Sequence, residues 1–293
     1  MSFPSIRCLP CACCVAAALA IASMHGAARQ AAPQPPVEAT TFFFDAFQHH
    51  PERRDEAIVR LTERALADDA QPKEVLYAGL AHLWAAVEGA GSRSQIHDHA
   101  VLAERWLARA AAEDPADTRI AGWHESAAWA IASAERDEAA QAAAVARLEA
   151  LAVEDPCFNS VTLGTIAFGL PRDHPTFRKA LDAMNAAFAC GETRGGQDHP
   201  RWPHNVAGFL VALSDYRLKA GDVAGAEAAL VIAEARPSSA TWPHRGLLEE
   251  RLEGLKARSA KYANGDPGDD PPFAFRRGAA MCSVCHAAEP APK

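Results

Sequence analysis

The chain has 293 residues, with 29 Lys and Arg against 37 Asp and Glu, and a net charge of −8 at neutral pH. This length is enough for one or two ordinary domains with a sizeable core. The acidic balance argues against nucleic acid as a partner, because a phosphate backbone attracts basic surfaces.

The first 28 residues show the order of regions that is typical of a secretory signal peptide. Arg7 supplies a positive charge, a charge-free alanine-rich run covers residues 11–24, and small residues suited to cleavage follow at 26–28. The apolar run is shorter than the roughly 20 residues of a comfortable membrane span. We predict a signal peptide over residues 1–28, a periplasmic or otherwise exported protein, and no membrane span in the mature chain. An uncleaved anchor is the alternative.

A proline-rich linker is predicted next, followed by a long helical body. Residues 29–40 contain three prolines and no periodic apolar face, as in extended linkers. From residue 41 to residue 262, Ala, Leu, Glu and Arg dominate, and apolar residues recur at helical spacing. One example is the set Ala57, Ile58, Leu61, Ala65 and Leu66. We expect Phe42, Phe43, Phe44 and Phe47 to plug the first helix pair, with an exposed docking patch as the alternative.

The body repeats with a period of about 40 residues. Prolines that break helices stand at Pro72, Pro115, Pro156 and Pro237. The last interval is about two periods, so a further break is expected in the glycine-rich stretch 190–197. Trp202-Pro203-His204 and Trp242-Pro243-His244 are also 40 residues apart. Such a period is typical of a solenoid of stacked helix pairs, in which neighbouring pairs share one core.

One stretch resembles the joint between the two helices of tetratricopeptide-like repeats. It runs from Asp215 to Leu230, with Gly221-Asp222 at its centre and small residues behind it. The resemblance extends over roughly residues 50–260, although that family's usual period is shorter. It implies an all-α solenoid of about five antiparallel helix pairs. It also implies a concave groove that binds a protein or a peptide.

Four cysteines follow the signal peptide, two of them in the body. An exported protein can form disulfides. Cys157 and Cys190 are expected either to bridge neighbouring helices or to stay as two separate buried thiols. The other two lie in the tail, residues 263–293, which opens with a turn-rich loop. A short helix is expected from Phe273 to Ala280.

The tail contains the sequence Cys282-Ser283-Val284-Cys285-His286. This C-x-x-C-H pattern resembles the haem-attachment motif of c-type cytochromes. The resemblance implies thioether bonds from Cys282 and Cys285 to one haem c and iron ligation by His286. A cytochrome c fold is not expected, because seven residues follow His286. A distal ligand would have to come from the body, for example His204 or His244, or be absent.

Three other interpretations of the motif remain open at this point. The two cysteines form a structural disulfide, or a redox-active pair, or a zinc site together with His286. The leading functional hypothesis is an exported interaction scaffold with one covalent haem for electron transfer or sensing. The alternative is a cofactor-free periplasmic binding module whose tail cysteines form a disulfide. A haem enzyme such as a peroxidase would require a distal pocket that the sequence does not indicate.

Overall fold

The computed structural model describes residues 38–88, 92–167, 170–193, 203–266 and 268–274, and these contain eleven α-helices and no β-strand. All of them belong to one compact unit that begins at Glu38. The helices are α1 (Ala39–His49), α2 (Arg54–Leu66), α3 (Pro72–Glu88), α4 (Arg93–Glu113), α5 (Thr118–Glu135), α6 (Glu138–Glu154), α7 (Asn159–Thr165), α8 (Pro175–Thr193), α9 (Asn205–Ala220), α10 (Val223–Glu234) and α11 (Arg245–Ala263). Short 3-10 helices cover Pro51–Arg53 and Pro237–Ala240.

Most helix starts have a local cause in the sequence. The side chains of Asp117, Asp137 and Asp222 each accept a hydrogen bond from a backbone N–H group, at the starts of α5, α6 and α10 respectively. Ser92 and Gln95 form a reciprocal capping box at the start of α4. The predicted breaks at Pro72, Pro115, Pro156 and Pro237 are confirmed, since each proline lies between two helices or opens the next one.

The predicted joint between α9 and α10 is also confirmed. Gly221 ends α9 with a φ of 93°, in the left-handed region that favours glycine. The side chain of Asp222 then accepts a hydrogen bond from the backbone N–H of Gly225 and opens α10. Helix α10 therefore starts within three residues of the end of α9.

The helices pack in chain order with a regular spacing. Each helix contacts the next one, α1, α3, α5 and α7 contact each other in succession, and α9 contacts α11. Helices α3, α5, α7, α9 and α11 begin at residues 72, 118, 159, 205 and 245, which are 46, 41, 46 and 40 residues apart. The period of about 40 residues thus reappears in the helix starts.

Two expectations about the breaks and the apolar faces need correction. Helix α8 continues through Cys190 to Thr193, so the first part of the predicted break at 190–197 is helical, and residues 194–197 lie outside the described ranges. A break that was not predicted separates α7 from α8, where Pro171 and Pro175 follow the end of α7. Leu66, assigned to the apolar face of α2, is 69 % exposed because it lies in the last turn of that helix.

The apolar core has an aromatic N-terminal part. Phe42, Phe43 and Phe47 are buried, and the Phe43 and Phe47 rings contact Trp84 at 6.2 and 5.1 Å between centroids. The phenylalanine cluster is therefore part of the core, as predicted. The C-terminal half of the core gathers around the buried ring of Tyr216, which stacks on Phe177.

Candidate functional site

The predicted haem-binding residues Cys282, Cys285 and His286 lie outside the described residues, as do the signal peptide and Trp202. Ala274 is the last described residue, eight positions before Cys282. The described residues that lie nearest to the motif in the chain are therefore those of the segment before it. We refer to residues 268–274 as the docked segment.

The docked segment lies against α9 and α11. Asp269 contacts Lys261 and Asn264 at the C-terminal end of α11, in each case at 3.1 Å. Further along, the Tyr262 hydroxyl donates to the carbonyl of Pro271 over 2.7 Å. Phe273 and Ala274 are buried and are not helical. The short helix expected from Phe273 therefore does not begin there, because backbone and side-chain contacts to the body hold these two residues in an irregular conformation.

A buried carboxylate on α9 fixes the end of the docked segment. Asp215 is 0 % exposed and accepts a hydrogen bond from the backbone N–H of Ala274 over 2.6 Å. It also accepts from Arg258 Nη2 at 2.7 Å and from Arg251 Nη2 at 3.3 Å. Both guanidinium groups then donate to the carbonyl of Pro272, at 3.0 and 3.2 Å. One carboxylate and two arginines thus join α9, α11 and the docked segment.

A second ion pair lies one turn further along α9. Lys219 Nζ contacts Asp270 at 2.8 Å, and its side chain is 7 % exposed. The ammonium group lies 5.6–5.9 Å from the ring centroids of Phe177, Tyr262 and Phe273. Cations are attracted to aromatic faces at such distances. Burying an ion costs several kcal/mol in desolvation. The Asp270 carboxylate of the docked segment offsets part of this cost for Lys219.

Sequence reasoning missed this network, although a weak signal existed. Asp215 lies on α9 among apolar neighbours, and Arg251 and Arg258 are seven residues apart, which places them on one face of α11. Charged residues at buried helix positions indicate partners elsewhere in the fold. The partners are 36, 43 and 59 residues from Asp215 in the chain, and no local pattern links them.

Three residues of the body, namely the methionine Met184 and the predicted distal-ligand candidates His204 and His244, differ in their burial and contacts. Met184 is buried with its sulfur packed against Gly164, where even a Cβ atom would collide with it. His204, immediately before α9, is 0 % exposed. His244, immediately before α11, is half-buried, and its ring packs edge-on against Trp242 at 6.2 Å between centroids. Burial, and then the neighbouring His204, lower the pKa of His244.

The pair His97 and His99 does not form a common site. The rings diverge, as predicted for residues two apart on a helix. His97 Nε2 contacts Glu135 on α5 at 3.0 Å, whereas His99 Nδ1 contacts His82 Nδ1 on α3 at 3.0 Å. Both rings are partly exposed and contact neighbouring helices, α5 in the case of His97 and α3 in the case of His99. No group of three or more His, Cys, Asp or Glu suited to a metal ion occurs in the described ranges.

Cys157 and Cys190 form a disulfide, which decides between the two possibilities left open by the sequence. Cys157 lies in the turn before α7, Cys190 lies in the last turns of α8, and their Cα atoms are 5.2 Å apart. The bond closes a loop over a sequence separation of 33 residues. A loop of this length corresponds to about 4 kcal/mol of stabilisation in the chain-entropy treatment.

Two recesses in the described part of the chain have polar linings. One, of about 80 Å³, is lined by Arg172, Phe177, Arg178 and Ala220. The other, of about 420 Å³, is open and lies among the charged turns at Asp117 and Asp155. Neither resembles the mostly apolar pocket that encloses a large ligand.

Comparisons with known proteins give no family assignment: no family model matches the chain, and no significant match was found among curated proteins or solved structures. Among the described helices, none is both long enough and apolar enough to span a bilayer. The function is therefore inferred from the chain's own residues.

Proposed function

We propose that the chain is an exported helical-repeat scaffold whose C-terminal tail carries one covalently attached haem c. The observation that carries this proposal is the C-x-x-C-H motif at 282–286, placed eight residues after a segment held by a buried ion network. The network joins the segment that leads to the motif to α9 and α11.

The packing of the helices supports the scaffold part of the proposal. Contacts between successive helices, together with contacts among α1, α3, α5 and α7, are compatible with the stacked antiparallel pairs that we propose. In this arrangement the odd-numbered helices would line a concave groove. We propose that this groove binds a protein or peptide partner.

The disulfide between Cys157 and Cys190 supports export. Disulfides persist in oxidising compartments and are rare in the cytosol. The apolar N-terminal segment with its small-residue end is the corresponding sequence feature. Covalent haem attachment is also compatible with an exported location.

The donor set of the tail suits a haem. Cys282 and Cys285 would form the two thioethers, and His286 would ligate the iron. When bound, the haem supplies one-electron chemistry, either for transfer or for sensing. The body's contribution is to anchor the tail at Ala274, so that the motif stays close to a partner bound in the groove.

The anchorage of the docked segment is compatible with the cofactor-free alternative as well. The segment is held by Asp215, Arg251 and Arg258, together with Lys219, Lys261 and Tyr262. A binding module whose Cys282 and Cys285 form a disulfide would use the same anchorage. The two functions differ in whether the tail cysteines hold a haem.

A haem stain of a denaturing gel distinguishes them. The full chain is expressed in a periplasm with the cytochrome c maturation machinery, beside Cys282→Ala/Cys285→Ala and the control Cys157→Ala/Cys190→Ala. Since thioether bonds survive denaturation, we expect a stained band in the wild type and the control, and none in the tail variant. An exported wild-type protein without stain would overturn the haem proposal and leave the binding module.

A further inference from the structure

The channel between α9 and α11 that holds the docked segment is lined by three side chains from each helix. They are Asp215, Tyr216 and Lys219 of α9, and Arg251, Arg258 and Tyr262 of α11. Residues 268–274 lie in this channel as irregular, non-helical chain. Their release would therefore break contacts to the channel but no hydrogen bond inside a helix.

The channel binds the backbone of the docked segment. The Tyr262 hydroxyl donates to the carbonyl of Pro271, and the two arginines donate to the carbonyl of Pro272. Asp215 accepts from the backbone N–H of Ala274. Consecutive prolines have no N–H group, so their carbonyls are the polar backbone groups that a binding site has to satisfy. Sites for extended peptides combine such main-chain hydrogen bonds with pockets for particular side chains.

Two side chains of the docked segment give the channel a sequence preference. The Asp270 carboxylate contacts Lys219 Nζ at 2.8 Å. The buried ring of Phe273 meets Tyr216 and Tyr262 edge-on, at 5.0 and 6.4 Å between centroids. The channel therefore fits an acidic residue that is followed by two prolines and an aromatic residue.

The Lys219 ammonium makes the channel selective for an acidic occupant. Its side chain is 7 % exposed, and the carboxylate that it contacts belongs to Asp270 of the docked segment. On the body side, Arg251 and Arg258 share the carboxylate of Asp215. A buried cation is strongly unfavourable without a partner. An occupant of the channel therefore has to present a carboxylate to Lys219.

We propose that the channel between α9 and α11 binds an acidic, proline-rich peptide of a partner protein, and that the docked segment is an internal competitor for this site. The peptide has the pattern of residues 270–273. The inference rests on the binding role in the proposed function and adds the sequence class of the partner, but it does not depend on a haem. Because the segment belongs to the same chain, its high effective concentration keeps the channel occupied until a partner peptide displaces it.

The test is the fluorescence anisotropy of a labelled synthetic peptide, Gly-Asp-Asp-Pro-Pro-Phe-Ala, added to the full chain. The wild type should bind it at least about tenfold more weakly than Phe273→Ala, whose internal competitor lacks the buried ring. In the Phe273→Ala chain, the additional change Lys219→Gln should weaken binding about tenfold, because the peptide carboxylate loses its partner. The matched control is Lys256→Gln, at an exposed position of α11, which should leave binding unchanged.

Variants of the peptide give an independent comparison. Alanine in place of the phenylalanine, or asparagine in place of the second aspartate, should each weaken binding at least about tenfold. Asparagine in place of the first aspartate should have little effect, because the corresponding Asp269 pairs with Lys261 at the surface.

The proposal is wrong if Phe273→Ala keeps the helical circular dichroism spectrum of the wild type and does not bind the peptide, or if Lys219→Gln does not weaken binding. If Phe273→Ala is unfolded, Asp270→Asn serves as the weakened competitor. If both are unfolded, the segment is an integral part of the fold, which also overturns the proposal. Dimers of the wild type in size-exclusion chromatography, without peptide binding by any variant, would make a second copy of this chain the occupant. The haem stain tests the cofactor separately, since an unstained chain that binds the peptide rejects the haem alone.

Discussion

Asp215 is a buried carboxylate that is surrounded by donors from α11 and the docked segment. Arg251, Arg258 and the backbone N–H of Ala274 all point at its two oxygens. Removing one member of such a group leaves the remaining charges buried without compensation. Such a change should therefore weaken the attachment of the docked segment and also lower the stability of the fold.

Asp215→Asn should therefore destabilise the protein by about 3 kcal/mol, since it leaves two buried guanidinium groups without a counter-ion. Asp269→Asn is the matched control, because Asp269 pairs with Lys261 at the surface. Its effect should stay below about 1 kcal/mol. Urea denaturation followed by circular dichroism measures both. Equal unfolding midpoints for the two variants would show that the buried network does not stabilise the fold.

At the scale of elements, the approach of α5 to α7 depends on one glycine. The Asn159 side chain on α7 donates to the carbonyls of Thr118 and Leu151, and its oxygen lies over Gly122 on α5. A Cβ atom at residue 122 would collide with that oxygen. Because two hydrogen bonds fix the amide, it cannot move aside without losing them.

Gly122→Ala is expected to lower the free energy of unfolding by about 1–3 kcal/mol through overpacking. The control is Gly246→Ala in α11, where a Cβ atom would meet nothing within 4 Å. That change should be neutral or stabilising by up to about 1 kcal/mol, because alanine favours a helix. Urea midpoints of the two variants give the comparison. A neutral Gly122→Ala would contradict the close approach of the helices.

The local features of these elements could be predicted from the sequence, whereas the contacts between them could not. The prolines and the Gly221-Asp222 joint act within a few residues, so their effect is visible in the sequence. The disulfide and the Asp215 network depend on how α7 meets α8 and how α9 meets α11. Helix α7 has seven residues, too few for an apolar period to show.

At the scale of the whole molecule, a histidine pair is expected to make stability depend on pH. His82 on α3 is buried between α2 and α4, with Nδ1 3.0 Å from Nδ1 of His99 and Nε2 3.2 Å from the Thr62 hydroxyl. Burial, and then His99, lower the pKa of His82 to about 4. Burial also lowers the pKa of His99, near which Arg54, Asp55 and Asp98 lie.

A histidine with a lowered pKa is neutral in the folded state and takes up a proton on unfolding. Its contribution to stability is therefore present above pH 6.5, the unfolded value, and is lost as the pH falls toward 4. For His82 this amounts to up to about 3 kcal/mol. We expect the urea midpoint to fall between pH 7 and pH 5, and to fall less in His82→Gln. His49→Gln, at the exposed end of α1, should keep the wild-type fall. The same fall in His82→Gln would assign the effect to other groups.

The anchorage at Ala274 also sets how much chain lies between the body and the C-x-x-C-H motif. Cys282 is 19 positions from the end of α11 at Ala263, but eight positions from Ala274. The effective concentration of a group on a flexible tether falls roughly as the −3/2 power of tether length. For a flexible chain, the shorter length corresponds to an about fourfold higher local concentration of the motif around the body. Under the proposed function, a partner bound by the helices would meet the motif correspondingly more often.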